Sequence, residues 1–185
     1  MAKKGKLRRI LDNLNGISID YHLPLYYPIL EKINAQGPDI ARKTDAQLGE
    51  AFQKHKTGAN SEFAFDENMV TEAFALIREA AHRAVGMRPF DVQVLGALAM
   101  QAGKLAEMQT GEGKTLTAVM PAALHALSGA GVHVLTFNDY LARRDAKWMG
   151  PVYQFLGLSV GFVQEGMSTS DRKKAYLSDV VYLTA

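Results

Sequence analysis

The residues best suited to chemistry stand in one short run, Gly111-Glu112-Gly113-Lys114-Thr115. Two glycines let a backbone curl so that successive N–H groups point at one anion, and the first turn of a following helix adds unpaired N–H groups. The ammonium of Lys114 can reach the β- and γ-phosphates of a nucleotide, and the hydroxyl of Thr115 is placed to ligate magnesium. The pattern therefore predicts a site for ATP or ADP with Mg²⁺. Its predicted binding residues are Thr110, Gly111, Glu112, Gly113, Lys114 and Thr115, with Thr115 as the metal ligand.

The surroundings of this run match what such a loop requires. Residues 105–108 predict a short strand, and residues 114–127 predict a helix with one apolar face. A phosphate-binding loop joins a strand to a helix in this way. The residue five positions before Gly113 is usually small, and here it is Met108. The alternative is a glycine turn that only connects the two elements.

Strand and helix patterns alternate from residue 104 onward. Further strands are predicted over residues 132–137, 160–164 and 180–184. Helices are predicted from Asn138 or Asp139 to about residue 149, where Gly150-Pro151 interrupts, and over residues 170–177. Four strands with helical crossovers predict a parallel sheet with covered faces.

One uncharged stretch, residues 115–138, is long enough to span a bilayer. It begins inside the phosphate loop and contains Pro121, His125 and His133. We therefore interpret it as a buried helix followed by a buried strand.

The first part of the chain predicts helices and connectors. Short helices are expected over residues 7–14, 25–34 and 39–54, with Gly37-Pro38 separating the last two and a loop over residues 57–63. A longer helix follows, capped by Asp66 and ended by Gly86, and another runs over residues 92–102 behind Asp91 as its cap. We accordingly predict a helical N-terminal extension over residues 1–65 and a nucleotide-binding part over residues 66–185.

Composition narrows the classes of function. The chain has 185 residues, a net charge of +2 and no cysteine, which excludes disulfides and thiolate-bound metal sites. Bulk charge predicts no nucleic-acid partner. Basic residues crowd the N-terminus without an apolar segment behind them, so a secretory signal is not expected. Either these residues bind anionic lipid or they form a solvated tail. They are Lys3, Lys4, Lys6, Arg8 and Arg9.

Three runs in this order resemble the SecA family, the ATPase motors of bacterial protein translocation. The likeness is dense from residue 66 to residue 184 and thin before that. The runs are Met87-Arg88-Pro89-Phe90-Asp91-Val92-Gln93, Glu107-Met108-Gln109-Thr110-Gly111-Glu112-Gly113-Lys114-Thr115 and Phe137-Asn138-Asp139-Tyr140-Leu141-Ala142-Arg143-Arg144-Asp145-Ala146.

The resemblance implies an adenine pocket. Gln93 matches the glutamine that recognises the adenine edge, while Met87, Arg88 and Phe90 match residues that line the pocket. A glutamine amide carries both a donor and an acceptor, which suits adenine. The alternative for Gln93 is an exposed helix residue.

The resemblance also implies a fold and a cellular role. The fold is a partial RecA-like (P-loop NTPase) parallel sheet of α/β class, preceded by the helical extension. The role is the ATP-binding N-terminal portion of a translocation ATPase, cytoplasmic or peripheral at the inner face of the plasma membrane. Its partners are the Sec translocation channel, preproteins and anionic lipid, with no nucleic acid expected.

Hydrolysis in this superfamily also needs an Asp-Glu pair at a strand end. The one pair in the chain, Asp66-Glu67, starts a helix before the loop, so no catalytic residue is predicted and little turnover is expected. The sheet would lack its later strands, and its open edge could support self-association. The chain could be a short SecA-like protein, a gene fragment or a recombinant piece.

Two other functions stay open. One is a non-catalytic SecA-like module that retains nucleotide contacts or only the fold. The other is a fragment of a related nucleic-acid helicase, which usually shows Pro-Thr-Arg-Glu-Leu where this chain has Phe137-Asn138-Asp139-Tyr140-Leu141. Asn138 and its neighbours also fit a simple helix cap and helix start.

Overall fold

The computed structural model describes residues 23–56 and 65–184. The predictions for the basic N-terminus, the helix over residues 7–14 and the loop over residues 57–63 lie outside the described residues. After a short 3-10 turn at Leu23–Leu25, five helices of the described chain come first, and strands of one sheet then alternate with helices. The elements are α1 (Tyr27–Ala41), α2 (Asp45–Gln53), α3 (Glu67–Val85), α4 (Asp91–Gln101), α5 (Lys114–Ala126), β1 (Val132–Thr136), α6 (Asp139–Phe155), β2 (Val160–Phe162), α7 (Thr169–Tyr176) and β3 (Val180–Thr184).

The strands form a parallel sheet in the order β1–β3–β2. Val132 of β1 and Val160 of β2 both lie opposite Val180 at the start of β3. Parallel strands need crossover connections, which α6 and α7 provide. The central strand is almost fully buried at Val180, Val181 and Tyr182. The predicted class is confirmed: a small parallel α/β sheet with a helical N-terminal part, consistent with a partial RecA-like domain.

Helix α3 lies at the centre of the hydrophobic core. Asp66 caps its first turn by accepting the N–H of Met69 at 2.8 Å, and Gly86 ends it with a φ of 70°. Both predicted caps are confirmed. Between them, residues 73–81 are all buried, because α1, α5 and α6 pack around the helix.

Helices α1 and α2 share this core with the sheet. Ile33 of α1 and Leu48 and Phe52 of α2 are buried in the same apolar cluster as Tyr182 of β3. The N-terminal helices are therefore packed onto the part of the chain that carries the phosphate loop. The boundary at residue 65 stays a prediction.

Two predicted helix breaks are wrong. Helix α1 runs through Gly37-Pro38 and α6 runs through Gly150-Pro151. A proline inside a helix removes one backbone donor, and packing of the helix onto the core compensates for that loss. Gly150 also brings α6 close to β2, since a Cβ at this position would lie 3.3 Å from a methyl carbon of Val160. The break between α1 and α2 comes later, where Thr44 starts a capping box.

The strand predicted over residues 105–108 is also wrong, so the described sheet has three strands and not four. A strand is stable only when its backbone pairs with a neighbour, and no described strand pairs with these residues. Leu105 is 97% exposed.

The uncharged residues 115–138 fold mainly as α5 and β1. The helix is buried as predicted, but β1 is only half buried and Leu135 points to solvent, so the prediction of a buried strand is wrong. Among the described residues, no helix combines the length and the apolar character needed to cross a bilayer.

The shared core leads to a stability prediction. Leu48→Ala should lower the free energy of unfolding by about 2–5 kcal/mol, because it leaves a cavity at a fully buried position. Leu177→Ala makes the same change where the side chain is 85% exposed and should stay within about 0.5 kcal/mol of the parent. Urea unfolding followed by circular dichroism measures both. Equal effects of the two substitutions would show that α2 is not part of the core.

Candidate nucleotide site

The predicted phosphate loop has the backbone that its glycines permit. Gly111 and Gly113 have φ angles of 88° and 83°, in the left-handed region that other residues rarely adopt. Gly113 is also the N-cap of α5, so the loop leads directly into the first turn of that helix.

The N-terminus of α5 has no side-chain cap. Side chains of Thr44, Asp66, Asn138 and Ser168 cap α2, α3, α6 and α7, each accepting a backbone N–H of its helix. Gly113 has no side chain to do so. The first N–H groups of α5 therefore stay available to an anion at the positive end of the helix dipole.

Two charged side chains of the loop are bonded to Gln109. The backbone N–H of Gln109 donates to Glu112 Oε2 at 2.7 Å. Its carbonyl accepts from Lys114 Nζ at 2.8 Å. The ammonium of Lys114 thus lies over the loop that leads into its own helix, where phosphate oxygens would compete with one carbonyl.

A buried carboxylate lies behind Thr115. Asp145 of α6 is 8% exposed, and its Oδ2 lies 3.5 Å from Thr115 Oγ1, at the outer limit of a hydrogen bond. Its Oδ1 accepts from Nε and Nη2 of Arg144 at 2.8 and 2.7 Å. The charge of this carboxylate is therefore paired with that of Arg144, and the lone pairs of Thr115 could serve a metal ion.

Gln93 connects the predicted adenine segment to the phosphate loop. Its Oε1 accepts the N–H of Phe90 at 2.8 Å, and its Nε2 donates to the carbonyl of Glu112 at 2.8 Å. The side chain is 6% exposed, so Gln93 is not an exposed helix residue. A Cβ on Gly113 would lie 2.3 Å from Gln93 Nε2, so any other residue there would have to displace the end of the Gln93 side chain.

The other predicted adenine residues differ in how they are placed. Phe90 is the N-cap of α4 and is 73% exposed, so its ring is open to a ligand. Met87 is half buried against the core. Arg88 donates to Glu79 Oε2 at 2.6 Å, and no bond from it to the phosphate loop occurs among the described residues. Asp91 is not the cap of α4 as predicted, because it lies one residue inside the helix.

Sequence reasoning missed the ion pairs of α3 that support this segment. Glu79 is buried and accepts from both Arg83 and Arg88. Burial alone raises the pKa of Glu79, but the hydrogen bonds and charges of the two arginines outweigh it and hold the pKa below its ordinary value of 4.5. The sequence does hold one signal for these contacts: Arg78-Glu79 interrupts the apolar run of residues 73–81, and charged residues in a buried run need partners.

Asn138 and Asp139 have structural roles. Asn138 caps α6 by accepting the N–H of Leu141 at 2.9 Å, which confirms the predicted helix cap. Asp139 accepts the backbone N–H of Glu165 and the hydroxyl of Thr184. These bonds tie α6 to the carboxyl ends of β2 and β3.

The fold and the loop geometry define an α/β protein with a partial RecA-like sheet and a candidate nucleotide site. A family model described as "SecA DEAD-like domain" matches residues 12–185. This chain belongs to the SecA family.

Curated relatives support the same assignment. Over 155 residues the chain is 52% identical to "Protein translocase subunit SecA" of Rubrobacter xylanophilus, covering 84% of this chain and 17% of the relative. It is 50% identical over 182 residues to the protein of the same name from Thermus thermophilus, covering 97% and 17%. A third relative, from Synechocystis sp., is 48% identical over 169 residues, covering 88% and 18%. The chain thus spans less than a fifth of the length of each of these relatives.

The contact between Gly113 and Gln93 leads to a matched pair of substitutions. Gly111→Ala should cost about 1–2 kcal/mol of stability through backbone strain alone, since no atom lies within 4 Å of its added Cβ. Gly113→Ala should cost more, because it carries the same strain and also displaces Gln93. Adding Gln93→Ala should remove that extra cost, as a double-mutant cycle by urea unfolding can measure. Equal losses for the two glycines would contradict the tight contact.

The low pKa of Glu79 leads to a pH prediction. Its ionised form stabilises the fold above pH 4.5, and that stabilisation is lost as pH falls through the lowered native pKa. Glu79→Gln should therefore be less stable than the parent near neutral pH and should lose less stability on acidification. Glu50→Gln, at an exposed position of α2, is the control and should follow the parent curve. Thermal unfolding at a series of pH values measures these stabilities. Parallel curves of stability against pH for the parent and Glu79→Gln would contradict the role given to Glu79.

Proposed function

We propose that this chain binds ATP or ADP with Mg²⁺ as the N-terminal, nucleotide-binding portion of a SecA-type ATPase that drives protein translocation. The observation that carries the proposal is the bridge made by Gln93. One amide holds the N–H of Phe90 and the carbonyl of Glu112, so the proposed base-binding and phosphate-binding parts are adjacent.

The residues of the loop fit a phosphate chain with magnesium. The uncapped first turn of α5 offers N–H donors, Lys114 offers a positive charge, and the hydroxyl of Thr115 offers a metal ligand. Mg²⁺, when bound, would neutralise phosphate charge. Thr110, Gly111 and Glu112 complete the loop through their backbone, while the carboxylate of Glu112 is held by Gln109.

Gln93 also fits recognition of adenine. Its amide nitrogen keeps one N–H and its oxygen keeps one lone pair after the bonds to Glu112 and Phe90 are made. A donor beside an acceptor matches the N7 and N6 edge of adenine. The exposed ring of Phe90 offers a face for stacking, and Met87 and Arg88 form the neighbouring wall of the proposed pocket.

We further propose that the chain alone hydrolyses little ATP. The Asp-Glu pair Asp66-Glu67 is used to start α3. The buried acid nearest the loop, Asp145, is paired with Arg144 and is not poised to activate water. Binding without appreciable turnover also suits the alternative of a non-catalytic module.

The wider role is proposed from the relatives, which are named translocase subunits. On that basis the partners are preproteins and the Sec translocation channel, and the location is cytoplasmic or peripheral at the inner membrane face. Anionic lipid is the proposed partner of the basic N-terminus. Self-association is proposed at the outer edge of β1, which pairs with no other described strand and where Leu135 is 62% exposed.

Removal of the loop ammonium tests the proposal. Lys114→Ala should weaken binding of Mg-ATP by about tenfold or more, since it removes a charge-assisted hydrogen bond to phosphate. Lys173→Ala removes an exposed lysine from α7 and should leave the affinity unchanged. Titration calorimetry measures binding, and phosphate release measures turnover. Equal affinities for the parent and Lys114→Ala would rule out this loop as the site, and turnover like that of a complete motor would refute the claim of weak hydrolysis.

A further inference from the structure

A buried arginine on α3 contacts the adenine segment on both sides of Phe90. Arg78 is 8% exposed. Its Nε donates to the carbonyl of Pro89 at 2.7 Å, and its Nη2 donates to Asp91 Oδ1 at 2.8 Å. The remaining terminal nitrogen, Nη1, donates to Asn34 Oδ1 of α1.

The shape of the guanidinium makes these contacts restrictive. Its N–H groups lie in one plane with fixed directions, so three acceptors bonded at once are fixed relative to one another. Pro89 and Asp91 are the two neighbours of Phe90. The position of Phe90 is therefore set from both sides by Arg78 and from α4 by the bond that its N–H makes to Gln93.

We propose that Arg78 is a positioning residue for the purine base of the nucleotide. It touches neither the base nor the phosphates; it holds the turn at residues 89–91 so that the ring of Phe90 and the amide of Gln93 face the same ligand. This inference rests on the nucleotide site proposed above. It adds a residue whose removal should change base-dependent affinity and spare the affinity for phosphate.

The best test separates the base from the phosphates. Arg78→Lys keeps the charge but loses the fixed fork, so one ammonium cannot hold Pro89, Asp91 and Asn34 in the same geometry. Titration calorimetry on the full chain should show about tenfold weaker binding of Mg-ATP, the effect expected from losing one or two hydrogen bonds. Binding of magnesium tripolyphosphate, which has no base, should stay within about twofold of the parent.

Arg42→Lys, the same change at an exposed arginine, is the control. Arg42 follows α1 and bonds to Asp39, but it makes no bond to residues 89–93 within the described chain. Its substitution should change neither affinity. Asp91→Ala removes the carboxylate that accepts from Arg78, at a side chain that is half exposed. If Arg78→Lys does not fold, this variant should show the same selective loss of Mg-ATP affinity.

The outcomes are distinct. Selective loss of ATP affinity in Arg78→Lys or Asp91→Ala supports the inference. Equal loss of both ligands, or no loss of either, overturns it while leaving the nucleotide site intact. A parent chain that binds neither ligand overturns the proposed function and this inference with it.

Discussion

The contact between the amide of Gln93 and the backbone of Gly113 is the constraint on which the candidate site depends. The amide can bridge Phe90 and Glu112 only because residue 113 has no Cβ. The left-handed backbone of Gly113 then directs the chain into α5. A glycine at position 113 thus permits the left-handed bend of the loop, the start of α5 and the close approach of the Gln93 side chain. A movement of the loop must alter the bonds of Gln93. The adenine segment and the phosphate loop therefore cannot move independently.

Two buried charged residues of α3, Arg78 and Glu79, lie behind the segment that contains Gln93. An isolated charge in an apolar interior is costly, so Arg78 and Glu79 require nearby partners. Arg78 finds them on α1 and α4, and Glu79 finds them in Arg83 and Arg88. The bonds of Arg78 to Asn34 and Asp91 join α3 to α1 and α4, whereas Glu79 pairs within α3 and with Arg88 in the loop that follows it. Such pairs add little net stability compared with apolar packing, but removing one partner leaves a buried charge without compensation.

Most local signals are predicted correctly, although Asp91 lies one residue inside α4 and is not its cap; long-range contacts are not predicted. Asp66, Gly86 and Asn138 were identified as caps because a cap depends on residues within one turn. Pro38 was misjudged, since packing elsewhere in the fold decides whether a helix tolerates proline. Residues 105–108 have a strand pattern but no partner in the described sheet, a condition that no local pattern reveals. The partners of Arg78 lie 11 to 44 positions away, so its role could not be predicted from spacing.

The charges around the loop explain how a triphosphate could be accepted beside two acids. Glu112 is bonded to the N–H of Gln109, and Asp145 is paired with Arg144, so neither presents an unpartnered carboxylate to the ligand. The positive end of α5 and the ammonium of Lys114 supply positive charge at the loop. Lys114 already bonds to the carbonyl of Gln109, so a phosphate would replace a neutral acceptor by a charged one. That exchange would strengthen the bond. The backbone of the loop is already left-handed at Gly111 and Gly113.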